Sequence, residues 1–207
     1  MIRAIVSDLG NVLLHFDHRI IVARLLHDFP HVHWDEEQEK LFWALVSSFE
    51  LGAVDEEGFL AEAGVLLGED SALDASHFRR LWSDIFWLNE DYLSLLRELR
   101  TDVNLVLLSN TNSMHIAWAK ERFPEIFEIF SHAVYSYELG TAKPDPRMFE
   151  EALRRAGVDA GDALYFDDIA AYADAATEAG IKGHQYVSVS GVRDVLAMHG
   201  LTVPAFD

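Results

Sequence analysis

The chain has 207 residues, enough for one full domain or for one domain carrying a sizeable insertion, and half of its residues are apolar, so a well-packed core is available. Its formal net charge of −19 repels phosphate backbones and anionic headgroups, which argues against nucleic acid or a membrane surface as a partner. The absence of cysteine removes disulfides, thiolate metal sites and cysteine nucleophiles. The opening "MIRAIVSDLG" places an acidic residue inside a short apolar stretch and does not read as a secretion signal. No apolar run is long enough to cross a bilayer, and a soluble cytoplasmic protein is expected.

In chain order, Ala4-Ile5-Val6 is the first short, apolar, β-branched run of the kind that forms a buried parallel strand. The stretch from about Asp17 to Arg100 then breaks the strand pattern. Runs such as "HRIIVARLLHDF", "EEQEKLFWALVSSF", "DEEGFLAEAGVLLG" and "HFRRLWSDIFWL" are amphipathic and helical, with no convincing strand among them. Strands are predicted again at Asn104 to Leu108 and Ala163 to Phe166, more weakly at Ala133 to Tyr135, and at His184 to Val187. Helices fall between them at 114–123, 170–180 and "PDPRMFEEALRRAG", where Asp145 serves as N-cap, Pro146 as first helical residue and Gly157 as the stop. Strands alternating with helices predict a doubly wound α/β domain. The helical stretch is then an insertion after the first strand whose two ends return to the sheet. The expected division is a core of residues 1–16 and 101–207 with a helical lid of residues 17–100.

Open α/β sheets bind ligands at the carboxyl ends of their strands. Strand one ends at Asp8. Strand "NLVLL" ends at Ser109, followed by Asn110, Thr111 and Asn112, and strand "ALYF" ends at Asp167-Asp168. Lys143, one of few lysines, precedes the "PDPRMF" helix. Taken singly, each of these is as readily a turn, a cap or a solvated side chain. Together they suit phosphoryl transfer. Crowded carboxylates invite a hard divalent cation such as Mg²⁺, a hydroxyl and helix N-terminal N–H groups hold phosphate oxygens, and an ammonium offsets the remaining charge. An aspartate so placed can attack phosphorus and split one displacement into two.

"SDLGNVLL", "LLSNTN", "TAKPDPRMF" and "YFDDI" resemble, in order and spacing, the four motifs of the haloacid dehalogenase (HAD) superfamily, across essentially the whole chain. The resemblance runs to subfamily IA phosphatases whose first motif reads Asp-Leu-Gly-Asn, among them the α-D-glucose-1-phosphate phosphatases. It implies a Rossmann-like three-layer α/β/α core with an inserted helical cap. It further implies Asp8 as nucleophile and Mg²⁺ ligand, the Gly10 carbonyl and Asp168 as further ligands, and Asp167 orienting the site or binding through water. Ser109 and Asn110 would hold the transferring phosphoryl group, and Lys143 would pair with it and with Asp8. The substrate would be a small phosphorylated metabolite, with a sugar-1-phosphate as one candidate.

Two positions depart from the superfamily pattern. Gly10 stands where most of its phosphatases carry an acid–base Asp, so the substrate is expected to have an acidic leaving group, or a cap residue or the substrate itself to supply the proton. Ile169 and Tyr172 replace two asparagines after the acidic pair. The residues His15, Phe16, Asp17 and His18 are expected to face the substrate. Trp43, Trp82 and Trp87 are expected in the cap core, His115 in a capping or packing role, and "HVHW" in a surface loop. The competing readings are a 2-haloacid dehalogenase, which also uses a strand-end Asp, and an inactive phosphate-binding or regulatory protein of the same fold. The oligomeric state is not legible.

Overall fold

The computed structural model describes residues 1–69 and 73–201. After strand β1 (Ala4–Ser7) and the short β2 (Leu14–Phe16) come four helices, α1 (His18–Asp28), α2 (Glu36–Glu50), α3 (Glu56–Leu66) and α4 (Ala75–Ser83). Strand β3 (Phe86–Leu88) and α5 (Glu90–Leu99) lead back to β4 (Asn104–Ser109). The chain continues through α6 (Ser113–Arg122), α7 (Pro124–Phe127), β5 (His132–Tyr135), α8 (Ser136–Leu139) and α9 (Pro146–Ala156). It closes with β6 (Ala163–Asp167), α10 (Ala170–Glu178), β7 (Lys182–Gln185) and α11 (Val189–Met198).

Five strands form one parallel sheet in the order β5-β4-β1-β6-β7. Alternation along each strand feeds two apolar layers. Ile5, Leu105, Leu107, Leu164 and Phe166 point to one face, where α5, α6 and α11 supply Leu96, Ile116 and Leu196. Ala4, Val6, Val106, Leu108 and Tyr165 point to the other, against Met148 and Phe149 of α9 and Ala176 of α10. The result is the α/β/α layering expected from the strand–helix alternation. Asp145 caps α9 by accepting from the Arg147 N–H, and Gly157 follows the helix at φ +66°.

A third apolar cluster belongs to the helical block. Ile21, Leu25, Phe42, Phe49, Phe59, Phe78 and Trp82 of α1 to α4 pack on one another. Each of these helices opens on an aspartate, at positions 17, 35, 55 and 74, whose carboxylate accepts a first-turn N–H.

Three expectations change. The stretch 17–100 does contain a strand, β3, which pairs antiparallel with β2; three apolar residues behind a helical run are too short to show a period of two. Helix α5, inside the same stretch, sends Tyr92, Leu93, Leu95, Leu96 and Leu99 into the sheet cluster, apart from α1 to α4. The last strand runs Lys182–Gln185, two residues earlier than predicted. It is a partly exposed edge strand, so its "KGHQ" is polar and the apolar Tyr186-Val187 beyond it draws the prediction off register.

Candidate active site

Strand β1 lies between β4 and β6, so the carboxyl ends of these three strands stand side by side. Neighbouring strands are roughly 4.8 Å apart, and residues distant in sequence therefore converge here. Asp8, Ser109 and Asp167 are buried at the strand ends. Lys143 joins them from the loop before α9, also buried, with its Nζ 2.7 Å from Asp8 Oδ1 and 2.7 Å from Asp167 Oδ2.

Burial pushes the Asp8 carboxyl up to about 7, against the pull of the Lys143 ammonium, with Asp167 adding to the rise. Burial also works against the charge on Lys143, but its two carboxylate partners outweigh it and hold the ammonium above its ordinary range. The ammonium stands over two aromatic rings, 5.2 Å from the centroid of Tyr172 and 5.9 Å from that of Tyr165. Tyr172 occupies one of the positions where the superfamily resemblance leads one to expect asparagine, and here its ring covers the lysine.

The two acidic residues at the end of β6 differ in what remains free. Asp167 Oδ1 accepts the Ile169 N–H at 2.9 Å, and Oδ2 accepts both Lys143 and the Tyr165 hydroxyl. Asp168 is half-buried at the pocket wall, and burial, then the charge of Asp167, raises its pKa. Carboxylate oxygens of Asp8, Asp167 and Asp168 lie within 4.8 Å of one another. Three hard oxygen donors at that separation fit a small divalent cation such as Mg²⁺.

Ser109 Oγ has only a 3.5 Å contact to the Asn110 carbonyl, so this buried hydroxyl is available to a ligand. The Asn110 side chain is engaged within the protein. Its side-chain amide donates to the Lys143 carbonyl at 3.0 Å and its oxygen accepts the Lys143 N–H at 2.8 Å, so the side chain anchors the lysine's backbone.

Gly10 lines the same pocket, and its backbone bridges to Leu14. A Cβ built at Gly10 would stand 2.8 Å from Phe16 Cε1. The space that an acid–base side chain would enter is filled by an aromatic ring. Asn11, next in sequence, turns the chain at φ +53°, a conformation that asparagine tolerates better than most residues.

The pocket encloses about 320 Å³ and is lined by Asp8, Gly10, Ser109, Asn110, Lys143 and Asp168 from the core and by Phe16, His18 and Glu50 from the β2 ribbon and the helical block. Of the four residues expected to face a substrate, Phe16 and His18 line it. His15 instead stacks toward Trp87, their rings 6.0 Å apart, and Asp17 caps α1 and pairs with Arg19. Trp82 is core, whereas Trp87 is half-exposed on the ribbon. His115 is buried parallel to Trp82, with its backbone N–H on Asn112, and burial drives its pKa down to about 3. His31 of "HVHW" bonds to the Leu67 carbonyl, and among the described residues no metal-ligand group forms around it. Glu50 and Tyr165 carry no local signal for the site, and Tyr172 stands out in the sequence only as a departure from the motif. Each follows from a crossing of elements that no local pattern announces.

The chain is similar to known proteins in sequence and in fold. A D-ribitol-5-phosphate phosphatase of Bacteroides thetaiotaomicron is 25% identical over 177 residues, spanning 81% of this chain and 84% of that protein. A HAD family enzyme of the same organism superposes with a TM-score of 0.81 at 25% identity, covering 96% of this chain and 98% of that one. Its wild-type complex with magnesium and inorganic phosphate aligns with a TM-score of 0.78 at 26% identity, over 92% and 96% of the two chains. A 2-haloacid dehalogenase of Pseudomonas syringae pv. tomato shares the fold at 22% identity and a TM-score of 0.67, covering 96% of this chain and all of that one. Residues 2–180, which include every strand-end group described above, match the haloacid dehalogenase-like hydrolases, and the chain belongs to that family.

Proposed function

We propose that the chain is a Mg²⁺-dependent phosphatase of small phosphorylated metabolites that works through an aspartyl-phosphate on Asp8. The observation that carries this reading is the convergence of Asp8, Asp167 and Asp168 with Lys143 and the free Ser109 hydroxyl in one crevice. The relative named as a phosphatase, and the magnesium and phosphate complex of a structure 26% identical to this chain, support it. A 2-haloacid dehalogenase attacks carbon and has no use for three convergent carboxylates, so we set that alternative aside.

In this reading Asp8 attacks phosphorus, the bond to the leaving oxygen breaks, and water then frees the phosphate from Asp8. Ser109 donates to a phosphoryl oxygen, and the Lys143 ammonium offsets the charge gathered between phosphoryl group and carboxylates. Asn110 contributes by fixing the Lys143 backbone, and through its own main chain to the phosphoryl oxygens. Asp167, with both oxygens already held by protein donors, orients the ammonium. Asp8, Asp168 and the Gly10 carbonyl would hold Mg²⁺, which when bound draws charge from the phosphoryl oxygens.

We take α1 to α4 as the cap, joined to the core through the β2–β3 ribbon, and assign it the exclusion of water during transfer. The substrate is a phosphorylated sugar or polyol of a size to enter the cavity. A sugar-1-phosphate and a primary polyol phosphate are the two forms to compare, the second because of the activity named for the relative. The test is phosphate release from a panel of phosphorylated metabolites with Mg²⁺, run beside Asp8→Asn. The wild type is expected to turn over at least one sugar or polyol phosphate, with Asp8→Asn lower by at least about 10³-fold. Activity that survives the substitution removes Asp8 from the mechanism.

A further inference from the structure

The proposed reaction leaves one task without a residue at the usual place. The leaving oxygen of an alkyl phosphate must gain a proton as the P–O bond breaks, and Phe16 occupies the space beside Gly10 from which a core side chain would deliver it. Of the other ionisable groups in the pocket, Asp8 and Lys143 are paired with each other, and Asp168 belongs to the carboxylate cluster. The His115 ring stacks on Trp82 and its Nε2 lies 3.3 Å from the Trp82 carbonyl. The His18 ring lies tilted against those of Phe16 and Trp43, and the residue is exposed to solvent. Tyr172 lies against the Lys143 ammonium, and burial raises its hydroxyl further above neutrality. Glu50 remains, and its carboxyl has no hydrogen bond or ion pair among the described residues.

The end of α2 that carries Glu50 is fastened to the core beside the phosphate-binding loop. The Ser136 hydroxyl, at the start of α8, donates to the Glu50 carbonyl at 2.6 Å and accepts the Thr111 N–H at 2.9 Å. Thr111 directly follows Ser109 and Asn110. Two residues after Glu50, Gly52 turns at φ +66° with its backbone so near the core that a Cβ would stand 2.1 Å from the Tyr137 carbonyl. The helix end at Glu50 is thus fastened to α8 and, through Ser136, to the loop after β4, at the lining of the crevice.

We propose, resting on the phosphatase reading, that Glu50 is the catalytic acid–base: from the helical block it lines the same cavity as Asp8, on a helix end tied by Ser136 to the loop that carries Ser109 and Asn110. In the first step Asp8 forms its bond to phosphorus, the ester P–O bond breaks, and the leaving oxygen takes the Glu50 proton, giving alcohol, aspartyl-phosphate and the Glu50 carboxylate. In the second, that carboxylate takes a proton from water while the water oxygen bonds to phosphorus and the Asp8–phosphorus linkage breaks. Glu50 ends protonated and Asp8 free. Burial alone raises the Glu50 pKa to about 7, with no charged neighbour contributing, which leaves both protonation states populated near neutrality.

The experiment compares the Mg²⁺-loaded wild type with Glu50→Gln on an alkyl phosphate and on p-nitrophenyl phosphate, whose leaving group needs no proton. Glu50→Gln is expected to lose about 10²–10⁴-fold in kcat on the alkyl phosphate with little change in KM. On the aryl phosphate it is expected to give a burst of about one equivalent of nitrophenolate, followed by slow turnover as the aspartyl-phosphate waits for water to be activated. The burst doubles as the folding control, and Glu50→Asp, which keeps a carboxyl, should restore part of the alkyl turnover. Wild-type kinetics in Glu50→Gln, a change confined to KM, loss of the burst, or the selective loss appearing in His18→Asn instead would each overturn the assignment to Glu50. A wild type that releases phosphate from neither substrate would overturn the phosphatase reading itself.

Discussion

Gly10 and Phe16 are one feature. The glycine leaves a gap beside Asp8, and the Phe16 ring fills it while packing edge-on to Phe86 and tilted against His18. Gly10→Ala is expected to destabilise the protein by about 1–3 kcal/mol through overpacking. Phe16→Leu should relieve part of that cost, with a coupling of about 0.5–3 kcal/mol in a double-mutant cycle measured by denaturant unfolding. Strict additivity would show that the two side chains do not meet. Glu50 makes a second prediction at this scale, independent of catalysis. Its folded pKa of about 7 lies above the ordinary 4.5, so as pH rises from 4.5 to 7 the unfolded chain loses its proton before the native one does. The native state holds more protons in that window, and its stability falls with rising pH. Glu50→Gln abolishes the effect. Against the wild type it should show no gain in Tm at pH 4 and a gain of about 2–4 °C at pH 8, for about 1 kcal/mol after allowing for partial exposure. A Tm difference that does not change with pH would rule out the burial cause.

At the scale of elements, the helical block meets the core where α4 packs on α6, with Trp82 on His115, and where the end of α2 reaches α8. Ser136 is buried there between the Glu50 carbonyl and the main chain of Thr111. Ser136→Ala leaves the Thr111 N–H without its acceptor and is expected to cost about 1–3 kcal/mol. Because the lost bond also releases α2, hydrogen exchange should quicken at residues 49–52 and 111, while amides in the middle of β1 and β6 keep their protection. Uniform loss of protection would show that the contact is not local. The β2–β3 ribbon is a further link between block and core, and its Asn89 shoulder is fixed by bonds from its side chain to the Val12 carbonyl and the Tyr186 hydroxyl.

For the molecule as a whole, the formal charge of −19 has its sharpest expression at the crevice, where three carboxylates face one buried ammonium. A divalent cation that binds the native state alone stabilises it by about 2.7 kcal/mol at a hundredfold excess over Kd. Mg²⁺ should therefore raise Tm by roughly 5–10 °C in the wild type, and chelation should reverse the rise. Asp168→Asn should lose most of it, since both Asp167 oxygens already accept protein hydrogen bonds. An equal rise in both proteins would place the cation elsewhere. Among the described residues no helix is long and apolar enough to cross a membrane.

The division between what is written locally and what is not follows from range. Strands β1, β4 and β6 are legible because buried parallel strands are short apolar runs, and the residues at or just past their ends are Asp8, Ser109 and the acidic pair. Helix α9 is legible from Asp145, Pro146 and Gly157, each of which acts on the backbone beside it. The edge strand β7 and the three-residue β3 are not, because a polar edge and a three-residue strand carry no clear period. What the Asn110 amide does, that Phe16 closes over Gly10, and that Tyr172 covers Lys143 depend on side chains from separate elements meeting in space. By itself the sequence determined the family pattern, the sheet and the groups at its strand ends, since strand order and alternation leave those groups one place to gather. Only the tertiary structure decided which of them stay free for a ligand and that Glu50 lines the crevice, because both depend on how side chains from separate elements pack together.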